Sequence, residues 1–513
     1  MATGSINISS NISRSEMILQ NYPPRPCKNL ITKAKNGKVL LRWTDPDDSY
    51  ITTDGISVEW GHTRIVRKTG SYPLNENDGT VVIESSIKNQ YSVTEYEDTG
   101  LTNFTEYFYR AFSCSKNNVY NHEIVQSSAT PVKYKIMTVK LDLNNSNPQK
   151  CATYADDAVG MAYGKTASKW DEFFGYRPCI FKNGKVVGYL NPSNFNKFED
   201  GSDVDITSYA IGDVMIEFPR RGVKISKSDK IITISMTDAP VDENFTYYAH
   251  QRGIYDRDYF YLGAYLASYS FDSSTQTGFM SSLSGQEPIN AMNDNSSFSN
   301  MCKFASAKGT NYGIMSYYQF LFIQCMYILQ YKGTPGVGTV HGTGRYHEQY
   351  SYYLNRTGGT ETKGLMYGVC TSSHNDMVPV KIFGLEDLWG NGDQYINNIA
   401  LSSTAHIMTI KDDVTDVSNY KDVGYLGSNK SFDGYYTMCI GTSEAGFIAD
   451  TSLNYNDEFK YSNGSSTTYF SAMTYLSRGC DAAYVQGMFS LFINRSRSNT
   501  SGNKCTTTRL QYL

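Results

Sequence analysis

Met315–Gly333 reads MSYYQFLFIQCMYILQYKG. Apolar and aromatic residues fall on almost every side of a 3.6-residue helix, so the spacing predicts a helix buried between a sheet and loops. Its most apolar part, Phe320–Leu329, is interrupted by Gln324 and is too short to span a bilayer. A second helical signal, SNMCKFASAKG at Ser299–Gly309, precedes it. Beyond Gly333, Gly, Asn, Ser and Tyr dominate and the predicted strands are short. Two helices amid short strands and ordered loop, from about residue 246 onward, read as an α+β domain.

Upstream the pattern is β. YKIMTVKLDL, CIFKNGKVVGYL, DVMIEFP and KIITISMTD alternate or run apolar over strand lengths, and Asn183-Gly184 in FKNGKVV is a hairpin turn. Residues 137–200 are expected to form a β-rich connector, and the strands from about 203 lead into a C-terminal domain of 201–513. Residues 23–136 hold short alternating segments with turn signals between them: KVLLRWTDPDD (Lys38–Asp48), SVEWGHTRIVRKTG (Ser57–Gly70), TVVIESS (Thr80–Ser86) and EYFYRAFSCS (Glu106–Ser115). Tyr107, Tyr109 and Ala111 share one face there, and the whole predicts an all-β sandwich. Residues 1–22 carry no sustained period and read as an arm or attachment segment, before YPPRP (Tyr22–Pro26) opens the sandwich. The fold class is therefore multidomain: sandwich, connector, α+β domain.

Composition narrows the function. With 513 residues and a formal charge of −4, the chain exerts no global field that would draw it to nucleic acid or an anionic membrane. No basic and apolar leader opens it, so synthesis in a cytoplasm without secretion, and no membrane insertion, are expected. Tyrosine is the outlier, at 42 residues, with 42 Gly and abundant Ser and Asn. Tyr offers a large, stiff contact with one hydroxyl, and this mixture suits a polar recognition surface as well as ordinary polar loops. The 10 Cys are scattered without CxxC spacing, against a zinc site or a dense disulfide framework.

Two resemblances sharpen these expectations. DTGLTNFTEYFYRAF (Asp98–Phe112) resembles the fibronectin type III signature, in which a Leu precedes Thr-x-Tyr. The resemblance implies a corner made by Leu101, Thr105 and Tyr107, the Tyr hydroxyl bonding back to the backbone, with Trp43 in the core. In the C-terminal half, FYLGAYLAS (Phe260–Ser268), SLSGQEP (Ser282–Pro288), the Met315 helix, NRTGGT (Asn355–Thr360), FGLEDLWGN (Phe383–Asn391) and the run from Leu476 to Leu513 occur in order. Together they resemble the C-type-lectin-like fold, in the branch shared by formylglycine-generating enzymes and the variable proteins of diversity-generating retroelements, such as phage major tropism determinants. This implies structural roles for Trp389, Gly390, Asn391, Arg478, Gly479, Phe489 and Arg509. It also implies a rigid platform displaying Asp481, Tyr484, Gln486, Asn494, Arg495, Arg497, Asn499 and Asn503 to a receptor. The chain departs from the pattern at Cys480, where the branch has Gly, and at Thr507-Thr508-Arg509, where it has Gly-Phe-Arg.

The expected protein is then a bacteriophage virion component located on the tail, fibre or capsid surface: an adhesin binding a host glycan or protein. A homotrimer is expected, with other virion proteins held through the N-terminal region. A head fibre, decoration protein or tail component without a receptor role is the alternative. An oxidase is the enzymatic competitor, but Cys480 and Cys505 do not fall where that branch keeps its catalytic pair, so no enzyme, cofactor or metal is expected. HGTGRYHE (His341–Glu348) lacks helical ligand spacing, and GTPGVGTVHGTG (Gly333–Gly344) lacks the Gly-Lys-Ser/Thr of a phosphate loop.

Overall fold

A computed structural model describes residues 22–142, 145, 151–241, 243–252, 255–272, 277–290, 298–332, 344–345, 354–369, 378–401, 406–409, 421–425, 434–436, 441–447, 459–463, 470–472, 491–493 and 506–513. The chain divides into two compact units, 1–134 and 135–513, and is mostly β.

In the first unit, period-2 alternation builds two sheets. β1 (Lys28–Lys35), β2 (Lys38–Thr44) and β6 (Tyr96–Thr99) form one. β3 (Ser49–Ile51), β4 (Ser57–Thr69), β5 (Thr80–Ser85), β7 (Tyr107–Ser115) and β8 (Gln126–Ala129) form the other. Val39, Leu41 and Trp43 from one sheet meet Ile65, Tyr109 and Ala111 from the other in a single core. Trp43 donates its indole N–H to Asp45 Oδ1 at 2.9 Å, and Thr63 Oγ1 donates to the same oxygen at 2.7 Å. That buried carboxylate thus answers the polar atoms burial would otherwise orphan.

The second unit is built on two antiparallel sheets. The smaller runs in the order β10 (Ala152–Asp156), β9 (Ile136–Asp142), β16 (Ile231–Thr237), β15 (Gly222–Ser228). The larger has seven strands: β13 (Asn194–Phe198), β12 (Lys185–Asn191), β11 (Arg177–Lys182), β14 (Asp213–Pro219), β19 (Tyr259–Gly263), β34 (Leu510–Tyr512) and β22 (Tyr312–Ile314). β11 turns into β12 through Asn183 at φ 51° and Gly184 at φ 76°, the left-handed pair a two-residue hairpin demands. Residues 137–200 are not a separate connector. β9 pairs with β16 and β11 with β14, so this stretch supplies strands to both sheets of the C-terminal unit.

Helix α1 (Lys169–Phe174) ends at Gly175 and buries Trp170, Phe173 and Phe174. The other two are α2 (Phe298–Ser306) and α3 (Tyr317–Tyr331). α3 opens with a capping box between Ser316 and Gln319, and every one of its residues is buried. Val139, Leu141 and Ile234 of the smaller sheet join its core from one sheet, and Ile180, Ile216 and Phe260 of the larger sheet from the other. The helix needs its all-round apolarity because no side of it meets water.

Shorter pairings complete the unit. β17 (Gln251–Arg252) pairs with β18 (Tyr255–Asp256), β20 (Ser268–Asp272) with β21 (Thr277–Ser281), and β23 (Lys381–Ile382) with β24 (Leu385–Glu386). β26 (Ile399–Leu401), β27 (His406–Thr409) and β28 (Lys421–Tyr425) form a meander. A six-stranded sheet runs β29 (Gly434–Tyr436), β30 (Phe459–Asn463), β32 (Leu491–Ile493), β31 (Phe470–Ala472), β25 (Asp393–Tyr395), β33 (Thr506–Thr507).

Candidate functional site

The strands on either side of residues 396–505, a stretch we call the excursion, lie next to each other in one sheet. β25 pairs in parallel with β33, Asp393 opposite Thr506 and Gln394 opposite Thr507. β31, from within the excursion, pairs with the same strand antiparallel. Immediately after β25, Asn397 N donates to Met315 O at 3.0 Å and Asn397 O accepts from Tyr317 N at 2.8 Å, fastening the exit to the start of α3. Immediately after β33, Thr508 Oγ1 donates to Tyr395 O at 3.1 Å, and β34 inserts between β19 and β22. Midway, residues 441–447 return to the core. Ser443 Oγ accepts from Ile225 N at 3.1 Å, Glu444 accepts from Tyr248 Oη at 2.9 Å, and Ala445 O accepts from Tyr317 Oη at 2.6 Å.

Beneath the two ends lies a buried charged cluster. Arg509 is fully buried and donates to Gly263 O at 2.7 Å, Glu386 O at 2.6 Å and Asp387 O at 3.3 Å. Arg345 reaches Asp387 Oδ2 at 3.2 Å and Glu386 Oε1 at 3.5 Å. Asn391 Nδ2 donates to the same Asp387 oxygen at 2.9 Å. Glu386 accepts from Gly358 N at 2.6 Å and from the Thr360 hydroxyl. Lys381 donates to Thr360 O at 3.0 Å and sits 3.4 Å from the centre of the Phe195 ring. Burial pushes the Glu386 and Asp387 carboxyls up and the Lys381 ammonium down, while Arg345 pulls both carboxyls back toward ionisation.

The local backbone explains why these charges are tolerated inside. FGLEDLWGN turns through left-handed φ at Asp387 (50°), Gly390 (81°) and Asn391 (61°). A Cβ at Gly390 would lie 2.8 Å from Arg345 N, so glycine is required there. Leu385, Leu388 and Trp389 point into the core, and Trp389 meets Tyr327 of α3 edge-on at 6.2 Å. The polar side chains of the same turn hold the strained backbone in place through the cluster. The arrangement is suited to fixing backbone, since donors of the chain itself hold the Glu386 carboxylate and Asp387 Oδ2.

Of the residues expected from sequence, Trp389, Gly390, Asn391 and Arg509 converge on this cluster, with relative exposures of 2% for Trp389, 1% for Asn391 and 0% for Arg509. Arg478, Gly479 and Phe489 lie outside the described residues. So do Asp481, Tyr484, Gln486, Asn494, Arg495, Arg497, Asn499 and Asn503, all within the 396–505 excursion, and Cys480 and Cys505. In the first unit, Leu101 and Tyr107 are buried and Thr105 half-buried; Tyr107 Oη accepts from Thr102 N at 3.0 Å. Sequence reading assigned no role to Glu386 and Asp387, although both stand in the quoted motif, and it passed over Arg345 in a glycine-rich loop. It also missed a cross-strand row on the larger sheet, Arg177–Glu217–Tyr261–Tyr512, which period-2 alternation in DVMIEFP and YFYLG could have flagged strand by strand. Among the described residues no helix is long and apolar enough to cross a membrane. Set beside known proteins, the sequence matches no family model and no curated protein.

Proposed function

We propose that this chain is a bacteriophage virion protein, a tail or fibre adhesin that binds a host-surface glycan or protein through the 396–505 excursion. In this reading the first unit is a fibronectin III-like spacer and the second a C-type-lectin-like display domain. The observation that carries the reading is the shared anchor: the excursion begins and ends on β25, and Arg509 fastens its return to the Glu386-Asp387 turn. A loop system fastened at its two ends and again at residues 441–447 can change side chains elsewhere without unloading the core. The resemblance places Asp481, Tyr484, Gln486, Asn494, Arg495, Arg497, Asn499 and Asn503 in that excursion, a set rich in stacking and hydrogen-bonding groups. Binding is reversible and no covalent step is required. A homotrimer held to other virion proteins by its N-terminal region would multiply weak contacts through effective concentration.

The test substitutes Tyr484, Gln486 and Asn494 by Ala in the phage. An adhesin gives particles that assemble normally and adsorb poorly to the host. Loss of assembly with those substitutions assigns the chain instead to a head fibre, decoration or tail structural role.

A further inference from the structure

The larger sheet has one face against α3, and among the described residues its second face is only partly covered. On the second face, α2 and β21 close one end, where Met280, Phe298 and Met301 pack with Met215, Ile314 and Leu510. The remaining end carries a continuous row in direct register: Arg177 opposite Glu217, Glu217 opposite Tyr261, Tyr261 opposite Tyr512. Tyr189 and Tyr259 flank it. Tyr259 is 44% exposed, and Tyr189, Tyr261 and Tyr512 are half-buried.

The row is rigid. Tyr261 Oη donates to Glu217 Oε2 at 2.9 Å, and Tyr189 Oη donates to the same carboxylate at 3.2 Å. The Arg177 guanidinium lies 3.4 Å from the centre of the Tyr189 ring and bonds Glu199 through Nη2 at 2.9 and 3.0 Å. Ring centroids step from Tyr259 to Tyr261 at 6.5 Å and from Tyr261 to Tyr512 at 6.0 Å. Each aromatic is thus pinned by its hydroxyl or by a neighbouring ring, and little rotamer entropy is left to lose on binding.

We propose that this row is a saccharide-binding face, separate from the excursion and independent of the receptor reading. A pyranose presents an apolar C–H face and a rim of hydroxyls. The Tyr259 and Tyr261 rings, inclined 37° to each other, match the first, and the Arg177 guanidinium with its partner carboxylate Glu199, both partly exposed at the row's end, match the second, while the buried Glu217 holds the Tyr261 and Tyr189 hydroxyls in place. The row crosses the strands at right angles, and the amides beneath it are spent in the ladder, so peptide recognition by strand addition is closed here. Recognition falls to side chains, which favours a ligand read by ring faces and hydroxyls.

The experiment is saturation-transfer NMR and calorimetry on the full chain with two uncharged probes, maltotriose and the β-1,4-linked trimer of N-acetylglucosamine. Saturable binding of at least one probe is expected, with a dissociation constant of about 1 mM. Tyr259→Ala should weaken it about tenfold while Tyr259→Phe retains it, because the ring supplies the contact. Tyr259 is substantially exposed, so both variants fold. The proposal is overturned if neither probe binds, or if binding survives Tyr259→Ala unchanged. Retention of saccharide binding in the Tyr484, Gln486 and Asn494 variants separates this face from the excursion.

Discussion

Replacing Arg509 by Met keeps most of the stem volume and removes the charge and three hydrogen bonds at once. The wild-type guanidinium is fully buried and donates to the carbonyls of Gly263, Glu386 and Asp387. Its pKa is pushed down to about 10 by burial, so it remains charged at neutral pH. Hydrogen bonds to charged groups contribute roughly 1.5–3 kcal/mol each, and their sum overstates the loss because the neighbourhood relaxes. Breaking one side of a buried charged network costs roughly 3–5 kcal/mol. We therefore expect Arg509→Met to destabilise the second unit by about 4 kcal/mol, a large part of a domain's total stability. With a urea dependence of about 3 kcal/mol per M, the unfolding midpoint falls by roughly 1.3 M. Hydrogen exchange followed by mass spectrometry across a urea series reads the two units separately. Amides of β14 and β19 should open at lower urea in the variant, while those of β4 and β7 stay where they were. A second-unit midpoint unchanged within about 0.3 M would refute the assignment of Arg509 as the fastening of the excursion's return.

Further expectations concern both units. His250 is enclosed by Phe260 and Phe322, and burial pushes its pKa down to about 3. The unfolded state takes up the proton first, so its contribution is complete above the ordinary value near 6.5 and is lost as pH falls from there toward 3, at up to about 1.4 kcal/mol per pH unit. Denaturation of wild type and His250→Gln at pH 7 and pH 5 should show the gap between them closing or reversing at the lower pH. Lys308 pairs with Asp213 at 2.8 Å, and its ammonium lies 3.8 Å from the Tyr209 ring centre. Lys308→Met leaves that carboxylate buried without its cation and should cost about 3 kcal/mol or more in urea unfolding, with Lys308→Met/Asp213→Asn recovering part of it. Tyr107→Phe leaves Thr102 N–H without its acceptor and should lower the first unit's stability by about 1 kcal/mol in thermal unfolding, with the second unit unaffected.

What the sequence makes legible is what local chemistry specifies. The Met315 helix is readable because apolar residues surround it, and the structure gives Tyr317–Tyr331 with every residue buried. The Asn183-Gly184 turn is readable because only such residues accept successive left-handed conformations. The division at 200 misleads because antiparallel strands do not announce partners: β9 finds β16 across most of a hundred residues. The charged cluster is hidden for the same reason. Glu386 and Asp387 look like surface residues until Arg345 and Arg509, distant in sequence, supply their counter-charges. Alternation likewise reveals which residues of β14 and β19 share a face, but the alignment of Arg177, Glu217, Tyr261 and Tyr512 is a property of register between strands.

The most direct measurement combines binding and stability on one preparation. The purified full chain is compared with a variant carrying Tyr484→Ala, Gln486→Ala and Asn494→Ala, by adsorption to host cells and by urea unfolding. The account predicts that adsorption is lost while the unfolding of the second unit stays within about 0.5 kcal/mol of wild type, the size of effect that surface substitutions have. Adsorption that persists, or stability that falls along with it, would contradict a rigid scaffold carrying a separable binding surface.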